Sequence, residues 1–241
     1  MEPQDLALAY NEIGHCRIID FGAAASSSSG LAELCERIAW DDEARVVILI
    51  FGEEVHDRLL TSQEAGLASL VEPVAKLKQP VIAAIRGDAV GLGLELALAC
   101  DVRIGTDTAR FGLPQIREGL VPFNGGTQRL PRLIGQGRAM QMILTGELID
   151  AAEALRIGLI SRVVAADSLA NTVMDMAREM ATKSPLSLSY VKEALYGGRD
   201  LTLDQGLRME LDLYLLLFTT SDRLEGITAF KDKRKPDFKG Q

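Results

Sequence analysis

A single glutamate lies inside an otherwise apolar run of the chain. The stretch from Gly91 to Asp101 reads "GLGLELALACD", and Glu95 is its only carboxylate before the final aspartate. In a helix that begins near Gly91, the neighbours of Glu95 one turn away offer no partner for a carboxylate: Gly91, Leu92, Leu98 and Ala99. Such a carboxylate must find a distant partner, reach solvent, or have a raised pKa that keeps it ready for proton transfer. Glu95 is therefore a candidate acid/base group.

The glycines just before Glu95 indicate where a ligand would approach. A junction of strand, glycine and helix exposes backbone N–H groups at a helix N-terminus, and such amides suit a developing oxyanion. Gly91 and Gly93 match the first two positions of the dinucleotide motif G-x-G-x-x-G/A, but Leu96 occupies the third. The chain has no G-x-S-x-G motif, which argues against a nucleophilic serine.

The strands and helices predicted around Glu95 follow an α/β pattern. Continuous apolar runs predict strands that are buried on both faces of a sheet, at "RVVILIF" and "PVIAAI", and further strands are predicted at "CRIIDF" and "DVRIGT". Helices are predicted over "GLAELCERIAW" and from about Ser62 to Lys78. The serine-rich tract from Ala23 to Gly30 is typical of a flexible loop that ends in a helix cap.

From Asp150 onward the chain reads as a series of helices. The segment "ELDLYLLLF", from Glu210 to Phe218, is too apolar all round for a helix that lies on one core. We expect a second burying surface, which self-association would supply. The alternative is a helix that is fully buried within one chain.

Composition bounds the class of protein and its partners. The 241 residues have a net charge of -8, 47% hydrophobic and 25% charged residues, which suits a globular protein whose surface repels nucleic acid and anionic membranes. The three cysteines form no C-x-x-C pair, so neither a disulfide framework nor a metal site is expected. The acidic N-terminus and the lack of a long apolar run predict a cytoplasmic protein without a membrane span.

A longer stretch carries a resemblance to a known family. The run "QPVIAAIRGDAVGLGLELALACDVRIGTDTARFGLPQIREGLVPFNGGTQRLPRLIG", Gln79 to Gly135, resembles the signature region of the crotonase, or enoyl-CoA hydratase/isomerase, superfamily. Further similarity extends from about Val46 to Phe238. The resemblance implies an α/β, crotonase-like spiral of ββα repeats over residues 1–183. It also implies a helical oligomerisation region over 184–241 that forms a homotrimer or, by pairing of trimers, a homohexamer.

The same resemblance implies a chemistry. The family binds acyl-CoA thioesters, polarises the thioester carbonyl with two backbone N–H groups and stabilises an enolate, with coenzyme A as part of the substrate and no metal or redox cofactor. Carried over, Glu95 takes the position of the first hydratase glutamate and the Leu92 N–H takes one oxyanion-hole position. Gln115 takes the position of the second glutamate. Since an amide does no acid–base work, Gln115 is expected to donate a hydrogen bond that orients substrate or water.

Several positions depart from the family pattern. Phe123 and Asn124 stand where hydratases often carry small residues near the attacking water, and Phe123 is expected to narrow that space or exclude water. The loop after "VVILIF" lacks the usual Ala-Gly-Ala-Asp-like segment. Within its replacement, "GEEVHDRLLTS", the stretch from His56 to Arg58 is the nearest candidate. The Arg58 N–H is assigned to the second oxyanion position and His56 to the substrate pocket.

The C-terminal tail keeps two positions that the family uses for CoA. Phe230 and Lys233 match residues that can contact the adenosine or 3′-phosphate end of CoA from a neighbouring subunit, and a lysine supplies a charge partner for phosphate. A solvated basic C-terminus is the alternative interpretation of the same residues.

Four functions remain open at this stage. Hydration of an unsaturated acyl-CoA is the leading hypothesis. Double-bond isomerisation needs only one carboxylate to move a proton between carbons, and decarboxylation or C–C cleavage would pass through the same enolate. A non-catalytic homologue that binds acyl-CoA or an acyl carrier protein is the fourth, motivated by the altered pocket positions. Against it stands Glu95, a charge that is awkward to keep in an apolar setting without a function.

Overall fold

The computed structural model describes residues 9–21, 28–52 and 71–241, with only the backbone at positions 28 and 29. Nine strands lie in this part of the chain: β1 (Ala9–Ile13), β2 (Cys16–Asp20), β3 (Val46–Phe51), β4 (Val81–Ile85), β5 (Ala89–Val90), β6 (Val102–Thr106), β7 (Arg110–Gly112), β8 (Ile149–Asp150) and β9 (Arg162–Val164).

Ten helices accompany these strands in the described ranges: α1 (Ser28–Ala39), α2 (Val71–Ala75), α3 (Leu92–Ala99), α4 (Gly126–Ile134), α5 (Gln136–Thr145), α6 (Ala151–Arg156), α7 (Leu169–Ala181), α8 (Pro185–Gly197), α9 (Leu203–Leu217) and α10 (Ser221–Lys231). Two short 3₁₀ turns, Pro114–Glu118 and Gly198–Asp200, complete the described elements.

Two mixed sheets organise the molecule. The larger has the order β1-β2-β3-β4-β6-β9, in which β1 pairs antiparallel with β2 and the other neighbours are parallel. The smaller has the order β5-β7-β8, with β5 parallel and β8 antiparallel to β7. The α/β class, the four predicted strands and the C-terminal series of helices are confirmed.

The larger sheet is buried on both faces, as its continuous apolar runs predict. In β3, Val47 and Leu49 face a core shared with α1, α2 and α3. Their neighbours Val46 and Ile48 face a second core on which α7 packs through Leu169, Val173, Ala177 and Ala181. Because side chains alternate along a strand, a run of consecutive apolar residues fills both cores at once.

Three expectations about local structure need correction. The serine-rich tract is not all loop, because α1 already begins at Ser28; the part before it lies outside the described residues. The helix expected to reach Lys78 ends at Ala75. The residue before Pro80 is disfavoured in helical conformation, so the chain straightens before it enters β4. The strand β1 was not expected at all, since its sequence "AYNEI" is largely exposed and polar.

The apolar helix α9 is not buried within the chain. Leu213 is its only buried residue, whereas six of its large apolar side chains are exposed: Leu203, Leu207, Leu211, Tyr214, Leu215 and Leu216. The alternative of a helix enclosed by its own chain is therefore wrong. Self-association remains a prediction, as does the division of the chain at residue 183.

Candidate functional site

The strand β5 and Gly91 set the start of the helix that carries Glu95. The Gly91 N–H donates to the Gly112 carbonyl at 2.9 Å, which extends the pairing of β5 with β7 by one residue. Gly91 then has φ 58° and ψ −126°, a conformation that residues with a side chain rarely adopt. The glycine therefore makes the sharp change of direction from β5 into α3.

The first turn of α3 leaves backbone amides available. The Glu95 N–H is the first that finds an acceptor in this turn, the Gly91 carbonyl at 3.0 Å. The preceding N–H groups, including that of Leu92, have no intrahelical acceptor, and they carry the positive end of the helix dipole. The Leu92 side chain is buried, so its amide lies in an apolar setting. This geometry suits an anionic oxygen.

Glu95 is buried inside the protein, with 1% of its surface exposed. Its Oε1 accepts two backbone hydrogen bonds, from the Asn124 N–H at 2.8 Å and the Gly126 N–H at 2.9 Å. Its Oε2 has one long contact, with the Gln115 Nε2 at 3.4 Å. No ion pair to Glu95 occurs among the described residues. One carboxylate oxygen is thus held in place, whereas the other is lightly bound.

Burial raises the pKa of the Glu95 carboxyl above the ordinary range. The two amides of Gly126 and Asn124 and the charge of Arg129 act in the opposite direction but do not cancel this effect. A buried carboxyl with a raised pKa can both accept and return a proton near neutral pH. The sequence-based expectation of a raised pKa or a distant partner is met on both counts.

The turn that leads into α4 aims both amides at Glu95, one from Asn124 before the helix and one from Gly126, its first residue. Gly125 has φ 98°, and its carbonyl begins the hydrogen bonding of α4. A Cβ at Gly126 would lie 2.9 Å from Leu113 Cδ1 and 3.0 Å from Glu95 Oε1. The loop is therefore close-packed against the carboxylate. Sequence reasoning missed these two amides; the only signal for them was the pair Gly125–Gly126 directly before an amphipathic helix.

Gln115 contacts the other oxygen of Glu95. It lies in the 3₁₀ turn Pro114–Glu118, where its carbonyl accepts the Leu120 N–H at 3.0 Å. Its side chain is 3% exposed, and its Oε1 has no hydrogen-bond partner among the described residues. The structure therefore brings together Glu95 and Gln115, as the resemblance to the family implied.

Phe123 and Asn124 differ in what they present. Asn124 is buried and contributes its backbone N–H to Glu95, and its carbonyl accepts from Arg129 Nη1 at 2.9 Å. Phe123, one residue earlier, is 53% exposed. Its expected effect on the water space stays a prediction. His56 and Arg58 lie outside the described residues.

The two predicted CoA contacts lie at the C-terminal end of α10. Phe230, near the end of this helix, is 86% exposed, and Lys233 follows it with φ 54°. Phe230 lines a cavity of about 680 Å³ together with Phe218, Lys231 and Phe238. Neither Glu95 nor Gln115 is among the residues that line this cavity.

The described residues contain neither a cluster of metal-binding side chains nor a membrane-spanning helix. Over residues 9–21, 28–52 and 71–241 no group of three metal-binding side chains comes together. The cysteines are buried free thiols: Cys16, Cys35 and Cys100. No helix in this part of the chain is long and apolar enough to cross a bilayer.

Comparison with known proteins gives consistent matches. A family model described as enoyl-CoA hydratase/isomerase matches residues 35–241. The chain is 47% identical over 163 residues to 2,3-dehydroadipyl-CoA hydratase of Escherichia coli (strain K12), which covers 68% of this chain and 64% of that one. It is 39% identical over 227 residues to (E)-benzylidenesuccinyl-CoA hydratase of Thauera aromatica, with 89% of each chain covered.

The fold matches solved structures over nearly its whole length. The crystal structure of an enoyl-CoA hydratase from Bacillus anthracis superimposes with a TM-score of 0.87 at 35% identity, covering 99% of this chain and 100% of that one. Some sequence matches are shorter. The chain spans 65% and 64% of the length of two bacterial relatives that are 48% and 47% identical to it.

Proposed function

The chain belongs to the enoyl-CoA hydratase/isomerase (crotonase) superfamily of enzymes, and from this we propose that it adds water across the double bond of an unsaturated acyl-CoA, with Glu95 as the acid/base. The observation that carries the proposal is the Glu95 carboxylate. It is buried, it has no cation in contact among the described residues, and one of its oxygens is anchored by two backbone amides.

In the proposed reaction one carboxylate oxygen handles both proton movements. The oxygen of a water molecule attacks the β-carbon of the enoyl group, and one water proton passes to Glu95 Oε2. The electrons of the double bond move to the thioester oxygen, where the Leu92 N–H stabilises the enolate. The enolate then restores the thioester carbonyl as its α-carbon takes the proton from Glu95. Water is fully added, and Glu95 returns to its ionised state.

Gln115 supports this assignment by its position. Its Nε2 lies 3.4 Å from Glu95 Oε2, so the amide can orient the reactive oxygen or the attacking water without exchanging a proton itself. The presence of an amide also keeps isomerisation as the second candidate, because moving a double bond requires one carboxylate and no water. Decarboxylation through the same enolate and non-catalytic binding of an acyl thioester are further outcomes that the experiment below distinguishes.

Assembly and CoA binding belong to the same proposal. The exposed apolar side chains of α8 and α9, such as Val191, Leu195 and Leu211, support a homotrimer or homohexamer. In such an assembly Phe230 and Lys233 would reach the CoA of a neighbouring subunit. The reaction uses coenzyme A only as part of its substrate, and acyl carrier protein is an alternative thioester donor. A cytoplasmic location completes the proposal.

The experiment that tests this function is mass spectrometry of products formed in H₂¹⁸O. The protein is incubated with short-chain enoyl-CoA, with the thioesters named for the Escherichia coli and Thauera aromatica relatives, and with a malonyl-type CoA. Hydration predicts a product that gains the mass of one H₂¹⁸O. Glu95→Gln should abolish it, whereas Glu118→Gln, an exposed glutamate in the same 3₁₀ turn as Gln115, should leave it unchanged.

Other products would indicate a different function for the protein. A product of unchanged mass with a shifted double bond would make the protein an isomerase. Loss of carbon dioxide from the malonyl-type thioester would make it a decarboxylase. Retained thioester binding without any product would identify a binding protein.

A further inference from the structure

The two oxygens of Glu95 have unequal surroundings. Oε1 accepts two backbone N–H groups at 2.8 and 2.9 Å, from Asn124 and Gly126. These donors cannot turn away, because they belong to a close-packed backbone segment at the start of α4, in which even a Cβ at Gly126 has no room. A proton taken up by Glu95 must therefore reside on Oε2. The only contact of Oε2 with a described side chain is the Gln115 amide.

The two ends of the Gln115 side-chain amide differ in their hydrogen bonding. The Nε2 faces Glu95 Oε2 at 3.4 Å, and Oε1 is buried without a partner among the described residues. A buried acceptor without a partner is unfavourable, so it needs a reason. A half-turn about the last side-chain bond would exchange the two ends, and it would break only the single long contact that Nε2 makes.

The backbone of Gln115 does not have to move for this rotation. Its carbonyl is held by the Leu120 N–H at 3.0 Å, and Pro114 begins the turn in which it lies. The main chain can therefore stay in place while the terminal amide turns. Rotation about that bond meets a broad, roughly two-fold preference rather than three steep wells.

We propose that the Gln115 amide reverses with the protonation state of Glu95, so that one side chain provides a partner for both forms of the carboxyl. When Glu95 is ionised, Nε2 donates to Oε2. When Oε2 carries the proton taken from water, the amide turns, and the protonated Oε2 donates to Gln115 Oε1. The proposal rests on the hydration mechanism above and explains how a single carboxylate serves as base and then as acid.

The charged surroundings of this pair are simple. Arg129, on α4, is the charged side chain that acts on Glu95 among the described residues, and its guanidinium donates to the Asn124 carbonyl rather than to either side chain of the pair. The other described hydrogen-bond donors to the Glu95 carboxyl are the backbone N–H groups of Asn124 and Gly126. An amide that turns in this setting responds to Glu95 and not to a second titrating group.

Kinetics of Gln115→Met provide the first test, with the exposed Gln136→Met as matched control. Methionine keeps the length of the side chain but neither donates nor accepts at that point. We expect kcat to fall roughly 10- to 100-fold at unchanged KM, because both forms of Glu95 lose a partner. For the same reason the midpoint of the acid limb of kcat/KM should hardly move. An amide that only donates would stabilise the carboxylate alone, and its loss would move that midpoint to higher pH.

Neutron diffraction of the deuterated wild-type protein provides the second test and does not depend on a variant that folds. Crystals are compared below and above the midpoint of the acid limb. The proposal requires the Gln115 oxygen to face a deuterated Oε2 at low pH and the ND₂ group to face Oε2 at high pH. The same orientation at both pH values would overturn it, as would unchanged kcat in Gln115→Met.

The hydration mechanism and the reversal of the Gln115 amide can be refuted separately. If products carry ¹⁸O and require Glu95 but the amide keeps one orientation, only the reversal is wrong. If the amide reverses but no ¹⁸O enters any product, hydration is wrong, and the pair serves proton transfer between carbons instead.

Discussion

Two carboxylates near α3, one buried and one partly buried, have opposite surroundings. Glu95 has backbone amides and one side-chain amide around it and no cation in contact within the described residues. Asp101, two residues beyond the end of α3, has Lys192 Nζ at 2.8 Å and the Val81 N–H at 2.7 Å. Lys192 comes from α8, so this pair joins the sheet region to the C-terminal helices. A carboxylate that is paired with a cation stabilises the fold, whereas one that accepts hydrogen bonds only from amides stays available for proton transfer.

The contrast extends to the two ends of α3. At its C-terminus the guanidinium of Arg103 donates to the carbonyls of Ala97 and Cys100 at 3.3 and 2.5 Å, which complements the helix dipole. At its N-terminus the amides that include Leu92 have no intrahelical acceptor. One end of the helix is therefore bound by a cation, and the other end keeps N–H groups that suit an anionic oxygen.

The largest expected effect comes from Glu95→Gln. Removal of the acid/base should lower kcat by about 10³-fold or more, since general acid–base catalysis contributes roughly 10²- to 10⁴-fold for each positioned group. The glutamine oxygen can still accept from Asn124 and Gly126, and the charge that burial disfavours is gone. Thermal unfolding at pH 7 should therefore show equal or higher stability. A variant that loses activity and also unfolds readily would place Glu95 with Asp101 as a fold-stabilising carboxylate.

Removing the cation partner of Asp101 should have the opposite effect and lower stability rather than kcat. Lys192→Met leaves Asp101 without its cation, and loss of one partner of a largely buried pair costs about 3 kcal/mol. Urea unfolding should show this loss, while the exposed Lys183→Met changes little. The double variant Asp101→Asn, Lys192→Met should recover part of the stability, because no charge is then left unpaired. A Lys192→Met protein of normal stability would remove the contrast between the two sites.

A smaller effect is expected from the loop that holds Glu95. In Gly126→Ala the added methyl group meets Leu113 Cδ1, Pro122 Cβ and Glu95 Oε1, all within 3.0 Å. Overpacking of this kind costs about 2 kcal/mol, and the displaced carboxylate should lower kcat more than KM changes. Gly137→Ala, in open space on α5, is the control and should be neutral or stabilising. Unchanged kcat in Gly126→Ala would mean that the anchoring of Oε1 is not needed.

Patterns along the chain predicted the central strands because runs such as "VVILIF" must be buried on both faces. The same reasoning missed β1, whose exposed sequence carries no such signal, and β5, β7, β8 and β9, which are two or three residues long. Short strands of this kind pair because their neighbours in the fold are already in place, not because of their own sequence.

The site was predictable to a similar degree. Glu95 stands out as a charge in an apolar run, and the family resemblance led to Gln115. The anchoring donors of Glu95 are main-chain N–H groups about thirty residues away in sequence, at Asn124 and Gly126. Every residue except proline carries such a group, so no side-chain pattern marks these two. Only the three-dimensional arrangement selects them.

The ionisation of Glu95 can be followed in two ways, by kcat/KM and by the free energy of unfolding, each measured against pH. Together these two profiles show whether Glu95 is the acid/base. The folded protein binds the Glu95 proton more tightly than the unfolded chain does, because burial raises the pKa of this carboxyl. Its ionisation therefore lowers stability as pH rises above the ordinary carboxyl range.

We expect the difference in free energy of unfolding between Glu95→Gln and wild type to be smallest in acid. This advantage of the variant should grow as pH rises through the raised pKa. Over that same range wild-type kcat/KM should rise, since the base must be ionised to accept a proton from water. A stability difference that does not change with pH, or an acid limb in kcat/KM at a pH where the stability difference is flat, would contradict the claim that Glu95 is the acid/base.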